Sequence, residues 1–203
     1  MLGLSLLVDN INHPKPPGST EGSVLGPFHT HDAPILPNGA SMTSDPAGEP
    51  MLAVCTVKDT QGKPVAGVTI DIWETDSSGH YDVQHADRDA PSERCIMVSD
   101  EEGRFWFKGL KPVSYPIPHD GPVGKLLQML KRHCWRPAHV HFMFGKDGWD
   151  KLITSVVPSR RKPFGLAADM CDFIVRCTSG AIRMRRLMPC SASRRVLLLT
   201  SAR

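Results

Sequence analysis

From Met51 onward the chain is divided into short apolar stretches with the two-residue alternation of a half-buried strand, separated by Gly, Pro and Asp-rich turns. That period, more than any other feature, limits what this sequence can fold into. Residues 51–58 read as a strand, 59–64 as a turn, and 68–73 as the returning strand. Residues 95–98, the turn 99–103 and residues 104–108 repeat the same strand, turn and strand. Residues 138–144 and 152–157 read as two more strands, and 125–131 as a short helix. The Pro- and Gly-rich stretch 112–124 reads as a long ordered loop with no element of its own, the kind of loop that tends to carry function. The sum predicts a mainly β protein, an antiparallel β-sandwich with its site on loops and strand ends.

Before this β region the pattern is different. Leu2, Leu6, Leu7 and Ile11 stand at helical spacing, which reads as the last turns of an amphipathic helix over residues 1–14. Prolines at 14, 16 and 17 then break the helix and extend the chain. No apolar run approaches the roughly 18 residues of a membrane span, and the first residues lack the basic start of a secretory signal, so the sequence alone predicts a cytoplasmic protein with no membrane partner. The six cysteines form no Cys-x-x-Cys pair and read as reduced thiols.

The formal charge of +3 is unevenly distributed. Residues 157–203 hold ten Lys and Arg against Asp169 and Asp172, so the preceding 156 residues are net acidic. The basic balance belongs to the tail and says nothing about a nucleic-acid partner for the β region.

Chemistry-bearing residues gather around a few positions. His139 and His141 are two apart on a predicted strand, so both project from one face and could bind one ion. Tyr81 and Tyr115 are the chain's only two tyrosines, and both lie upstream of that pair. A phenolate is a hard anionic donor and a neutral imidazole a borderline one, a mixture that suits ferric iron better than zinc. Two other readings of the same residues stay open at this point. The histidines could be ordinary exposed residues beside half-buried tyrosines, or they could pair with Asp76 or Asp120 as a ferrous two-histidine, one-carboxylate site.

Longer motifs surround these residues: Trp73-x-x-Asp76-x-x-Gly79-x-Tyr81-Asp82, then Gly103 through Phe107, then Lys111-Pro-Val-x-Tyr115-Pro-Ile-Pro-x-Asp120-Gly-Pro-Val-Gly124, then Arg136-Pro-Ala-His139-Val-His141-Phe142, with Val24-Leu-Gly-Pro-Phe28 upstream. In order, spacing and flanks they resemble the intradiol ring-cleavage dioxygenases, in the catechol and hydroxyquinol 1,2-dioxygenase branch. The resemblance implies one Fe(III) per chain, held by Tyr81, Tyr115, His139 and His141. It implies that Tyr115 is the phenolate released when substrate binds and that Arg136 is the catalytic cation beside the substrate ring. It further implies a substrate pocket at Leu6, Asp9, Val24, Leu25, Gly26, Pro27 and Arg136, with Asp9 reading the third hydroxyl of hydroxyquinol. The activity implied is insertion of both atoms of O2 into a catecholic ring, giving muconate from catechol or maleylacetate from hydroxyquinol.

On this reading residues 1–14 are the remnant of a helical dimerisation region, which leaves a family-like homodimer open, and residues 15–156 are the catalytic sandwich. Residues 157–203 form a basic tail outside the resemblance, read out of frame as a frameshift or retained intron would produce. A basic nucleic-acid-binding tail is the rival for that segment. Loss of closing strands there predicts exposed sandwich edges and poor solubility. The alternative function is a truncated, catalytically inactive β-sandwich of the same family.

Overall fold

The computed structural model describes residues 3–157, 173–177 and 180–189. Its elements are α1 (Leu4–Asn12), β1 (Pro50–Val57), β2 (Thr69–Trp73), a 3-10 turn (Asp82–Gln84), β3 (Arg94–Val98), β4 (Arg104–Leu110), β5 (Tyr115–Pro116), α2 (Pro122–Met129), β6 (Trp135–Arg136), β7 (Val140–Gly145), β8 (Leu152–Val156), β9 (Phe173–Cys177) and β10 (Gly180–Pro189). Among the described residues they form one sheet in the order β4-β1-β10-β9, a second in the order β3-β2-β7-β8, and a two-stranded pair β5-β6. Every pairing between these strands is antiparallel. The expected mainly β fold with a short N-terminal helix is what the chain forms.

The two large sheets share one apolar core. Alternate residues of β1 (Met51, Ala53, Cys55, Val57) point inward with Phe105 and Phe107 of β4, and Ile70, Ile72, Met97, Phe142, Phe144 and Leu152 of the other sheet meet them. Phe105 and Phe107 each stand 6.3 Å from Phe142, ring centre to ring centre. Each fully buried Phe or Ile contributes about 1.5–3 kcal/mol through the apolar surface it removes from water.

Strand positions agree with the sequence period, but strand partners do not. The expected returning strand after β1 lies in the opposite sheet, because β1 pairs with β4 and β10 while β2 pairs with β3 and β7. β3 and β4 are likewise split between the sheets. Alternation marks a strand by its two faces and carries no information about which edge it joins. Two further expectations are corrected. The loop 112–124 contains the short strand β5 and the start of α2, which begins at Pro122 rather than at residue 125 because proline is well suited to the first helical turn. His139 precedes β7, so of the two histidines only His141 lies within the strand.

Parts of three outer edges carry backbone bonds among the described residues. Leu36 N–H donates to Ile96 O and Ile96 N–H to Pro34 O along β3, Met42 N–H donates to Lys108 O along β4, and Ser23 N–H donates to Ile153 O along β8. The arm before β1 therefore pairs with some of the outer backbone groups of three strands. β10 pairs along β1 on its other side, and β9 pairs with β10, so regular elements lie in a stretch where the sequence shows no period.

Candidate metal centre

At one end of the sandwich four polar side chains from three separate parts of the chain turn toward each other. Tyr81 arrives from the loop after β2. Asp76 Oδ1 accepts from the N–H groups of Ser78 (2.9 Å) and His80 (3.0 Å), and Gly79 takes φ +83, closing a tight loop. Tyr81 N–H then donates to Gln84 Oε1 at 2.9 Å. A Cβ on Gly79 would stand 2.9 Å from Tyr115 Cβ, so glycine is required both by the left-handed backbone and by the close approach of the second tyrosine.

Tyr115 is fixed by β5, whose partner across the ladder is Arg136 of β6. Arg136 NH1 donates to Tyr115 Oη at 3.0 Å and its guanidinium carbon lies 5.8 Å from the Tyr115 ring centre. His139 follows β6, and its Nδ1–H donates to Pro137 O at 2.7 Å, which leaves Nε2 as the lone-pair nitrogen. His141 faces Trp73 across the β2–β7 ladder, and its ring lies parallel to the Trp73 indole at 4.8 Å with an interplanar angle of 3°.

The donor atoms converge. Tyr81 Oη is 3.2 Å from Tyr115 Oη, 3.4 Å from His139 Nε2 and 3.1 Å from His141 Nε2. His139 Nε2 is 3.5 Å from Tyr115 Oη and 3.0 Å from His141 Nε2. All four side chains are buried. Burial pushes the His139 imidazole down to about 4 and that of His141 to about 2, with His139 and the Arg136 cation adding to the effect on His141. Both rings are therefore neutral and able to act as ligands near neutral pH. Burial, with Tyr115 beside it, pushes the Tyr81 phenol well above its ordinary value, so without a cation the site keeps this hydroxyl protonated.

Two phenol oxygens and two neutral imidazole nitrogens packed about 3 Å apart, one ring nitrogen against another, fit a single hard trivalent ion such as Fe(III). Donors that share one transition-metal ion through bonds of about 2 Å stand at such separations. Among the described residues no group of three or more His, Cys, Asp or Glu side chains could hold a metal. Asp76, a candidate for a carboxylate site, is engaged instead by Ser78, His80 and His85.

The proposed pocket residues are more dispersed. Leu25 packs against Trp73, Tyr81 and Tyr115, in company with Phe28 and Ile117. Val24, Gly26 and Pro27 are exposed on the same segment. Leu6 and Asp9 lie half-buried on α1, where Asp9 pairs with His13 at 3.0 Å. Sequence reasoning gave no role to Phe28, whose ring stacks on Tyr81 at 4.6 Å, or to Trp73 under His141. An aromatic in each of the two motifs was the available signal, but nothing local tells which ring it meets.

Comparison with known proteins gives the family. A family model described as Dioxygenase matches residues 24–165. The intradiol ring-cleavage dioxygenase hqdA of Aspergillus niger is 70% identical over 156 residues, covering 77% of this chain and 47% of that protein. The hydroxyquinol 1,2-dioxygenase of a Rhizobium species is 48% identical over 157 residues, covering 77% of this chain and 53% of that protein. Among solved structures, the hydroxyquinol 1,2-dioxygenase of Pseudomonas putida DLL-E4 superposes with a TM-score of 0.74 at 42% identity, over 78% of this chain and 55% of that one. The chain thus spans about half the length of the relatives it matches. On fold, motif and sequence the chain belongs to the intradiol ring-cleavage dioxygenases.

Proposed function

We propose that this chain is a non-haem Fe(III) dioxygenase that opens a catecholic ring between its two hydroxylated carbons, with hydroxyquinol as the preferred class of substrate. The observation that carries the reading is the convergence of four donor atoms: Tyr81 Oη and His139 Nε2 each lie within 3.0–3.5 Å of the other three, Tyr115 Oη and His141 Nε2 among them. The choice of hydroxyquinol rests on the relatives, since the hydroxyquinol 1,2-dioxygenase of a Rhizobium species aligns at 48% identity, others of that activity at 38–41%, and a catechol 1,2-dioxygenase of Candida albicans at 38%.

When bound, ferric iron would supply a Lewis-acidic centre that binds a deprotonated 1,2-diol and opens it to attack by O2. The chain's own residues account for the rest. Pro137 O holds the His139 ring in the tautomer that points Nε2 inward, and Trp73 sets the plane of His141. Tyr115 Oη, which accepts from Arg136 at 3.0 Å, would be one of the oxygens holding the ion and is the residue placed to take a proton from a substrate hydroxyl. Arg136 then remains as a fixed cation beside the charge that develops on the ring. Leu25, Phe28 and Ile117 form an apolar wall against the tyrosines that excludes water. Asp9, half-buried on α1, is the residue assigned to a third substrate hydroxyl.

The test is reconstitution of the purified full chain with ferric iron, followed by visible absorption and O2 uptake with hydroxyquinol and with catechol. A tyrosinate charge-transfer band that shifts on anaerobic addition of substrate, with one O2 consumed per ring, is the expected result. A colourless chain that neither takes up iron nor consumes O2 overturns the proposal in favour of an inactive sandwich of the same family.

A further inference from the structure

Arg94, the first residue of β3, is 2% exposed in its side chain, and so is not a surface cation. Its guanidinium grips Asp82, the residue immediately after Tyr81. Nε donates to Asp82 Oδ2 at 2.7 Å and NH2 to Asp82 Oδ1, a two-pronged pair in which the carboxylate is 1% exposed. The same guanidinium reaches across to the arm that precedes β1. NH1 donates to Thr30 Oγ1 at 2.7 Å, and NH2 donates to Phe28 O at 3.1 Å. The Phe28 ring in turn stacks on Tyr81 at 4.6 Å and 17°. One buried cation therefore fixes both the backbone that carries Tyr81 and the backbone that carries the ring lying on it.

The outer end of this network is closed by Arg88. It donates from Nε to Asp82 Oδ2 at 3.1 Å and from NH2 to Asp32 Oδ2 at 2.9 Å, while Thr30 Oγ1 donates to Asp32 Oδ1 at 2.5 Å. A buried ion pair is a poor source of net stability, because the desolvation of both charges offsets most of their attraction. What such a pair supplies is geometry, since an arginine fork with all its partners in place tolerates few alternative arrangements. Here the geometry falls on a proposed metal ligand and on the wall of residues 24–28 beside it.

We propose that Arg94 is a positioning residue, which through Asp82, Thr30 and the Phe28 carbonyl locks Tyr81 and the adjacent pocket wall into one unit. The proposal rests on the ferric reading of the site for its consequence, but its geometry is testable without metal. Because Tyr81 and Tyr115 are the only tyrosines, biosynthetic incorporation of 3-fluorotyrosine gives two 19F resonances, assigned by Tyr115→Phe. In the metal-free full chain, Arg94→Gln should shift and broaden the Tyr81 resonance and leave that of Tyr115 in place. On ferric titration the same variant should bind iron about 10- to 100-fold more weakly. Leu152→Ala, a core substitution at the start of β8 opposite Phe144, is the control for a general loss of stability and should lower Tm without moving the Tyr81 signal.

If Arg94→Gln does not fold, Thr30→Val, which removes one partner at the half-exposed end, and Arg94→Lys, which keeps the charge opposite Asp82, carry the same test with smaller shifts. A folded variant of any of the three whose Tyr81 resonance is unmoved overturns the proposal. A Tyr81 shift in Arg94→Gln together with a parent chain that takes up no ferric iron would uphold the positioning role and overturn the functional reading instead.

Discussion

Replacing Glu74 by Gln should change how the stability of this fold depends on pH. Glu74 follows Trp73 at the end of β2 and is 1% exposed. Its Oε1 accepts the Leu110 N–H at 3.0 Å, and its Oε2 is buried without a hydrogen-bond partner. Burial raises the carboxyl from the ordinary 4.5 to about 8, with the Leu110 N–H opposing the rise and the nearby Glu93 adding to it. The sign follows from proton linkage. Below pH 4.5 the group is protonated in both states, and its contribution is fully present. Between 4.5 and about 8 the unfolded chain gives up its proton while the folded chain keeps it, so stability is lost as pH rises through this window.

The slope is about 1.4 kcal/mol per pH unit, which across the window gives an upper bound of about 5 kcal/mol. Water entry around the ionised carboxylate reduces that bound. Gln cannot ionise, although its buried amide adds a constant cost of about 1–3 kcal/mol where no acceptor is at hand. The readout is therefore the slope and not the offset. Urea unfolding of both proteins from pH 5 to pH 9 should show the variant gaining several kcal/mol on the parent toward alkaline pH, roughly 2–4 °C in Tm for each kcal/mol in a chain of this size. Parallel stability curves over that range would refute the argument that Glu74 is held as the neutral acid.

Two further predictions concern the site. Arg136→Ala removes the cation that donates to Tyr115 Oη at 3.0 Å, so kcat on hydroxyquinol should fall about a hundredfold to a thousandfold while the reconstituted chain keeps its colour; unchanged turnover would count against a role for this side chain in the reaction. Gly79→Ala forces a side chain onto φ +83 and places its Cβ 2.9 Å from Tyr115 Cβ, costing about 1–2 kcal/mol in backbone strain alone. Thermal unfolding and ferric titration should both worsen, and a variant with the parent's visible spectrum and iron affinity would show that the loop can yield.

Much of the candidate site could be read from the sequence because its ingredients are chemical and their motifs are contiguous. Tyr81, Tyr115, His139 and His141 stand out as donors, and the structure brings their four atoms together. Arg136 was legible through the motif that resembles the family, but its partner was not, since the β5–β6 pair that sets it against Tyr115 joins two-residue strands too short to leave a period. Arg94 and Asp82 lie in separate motifs with no spacing that links them. Glu74 sits in sequence beside Trp73 like any turn-proximal acid, and only the return of β4 at Gly109 and Leu110 encloses it.

The sequence alone therefore determined where the six longer strands β1, β2, β3, β4, β7 and β8 form, which of their faces are apolar and which donor chemistry the chain can offer, because alternation, turn residues and side-chain hardness are local properties. Tertiary structure alone decided that β1 and β2 enter opposite sheets, that the arm before β1 pairs with parts of the edges of β3, β4 and β8, and that one guanidinium ties Phe28 to Asp82. Those outcomes depend on contacts between residues distant in the chain, and their energies come from burying apolar faces and satisfying backbone groups jointly, which no short window of sequence records.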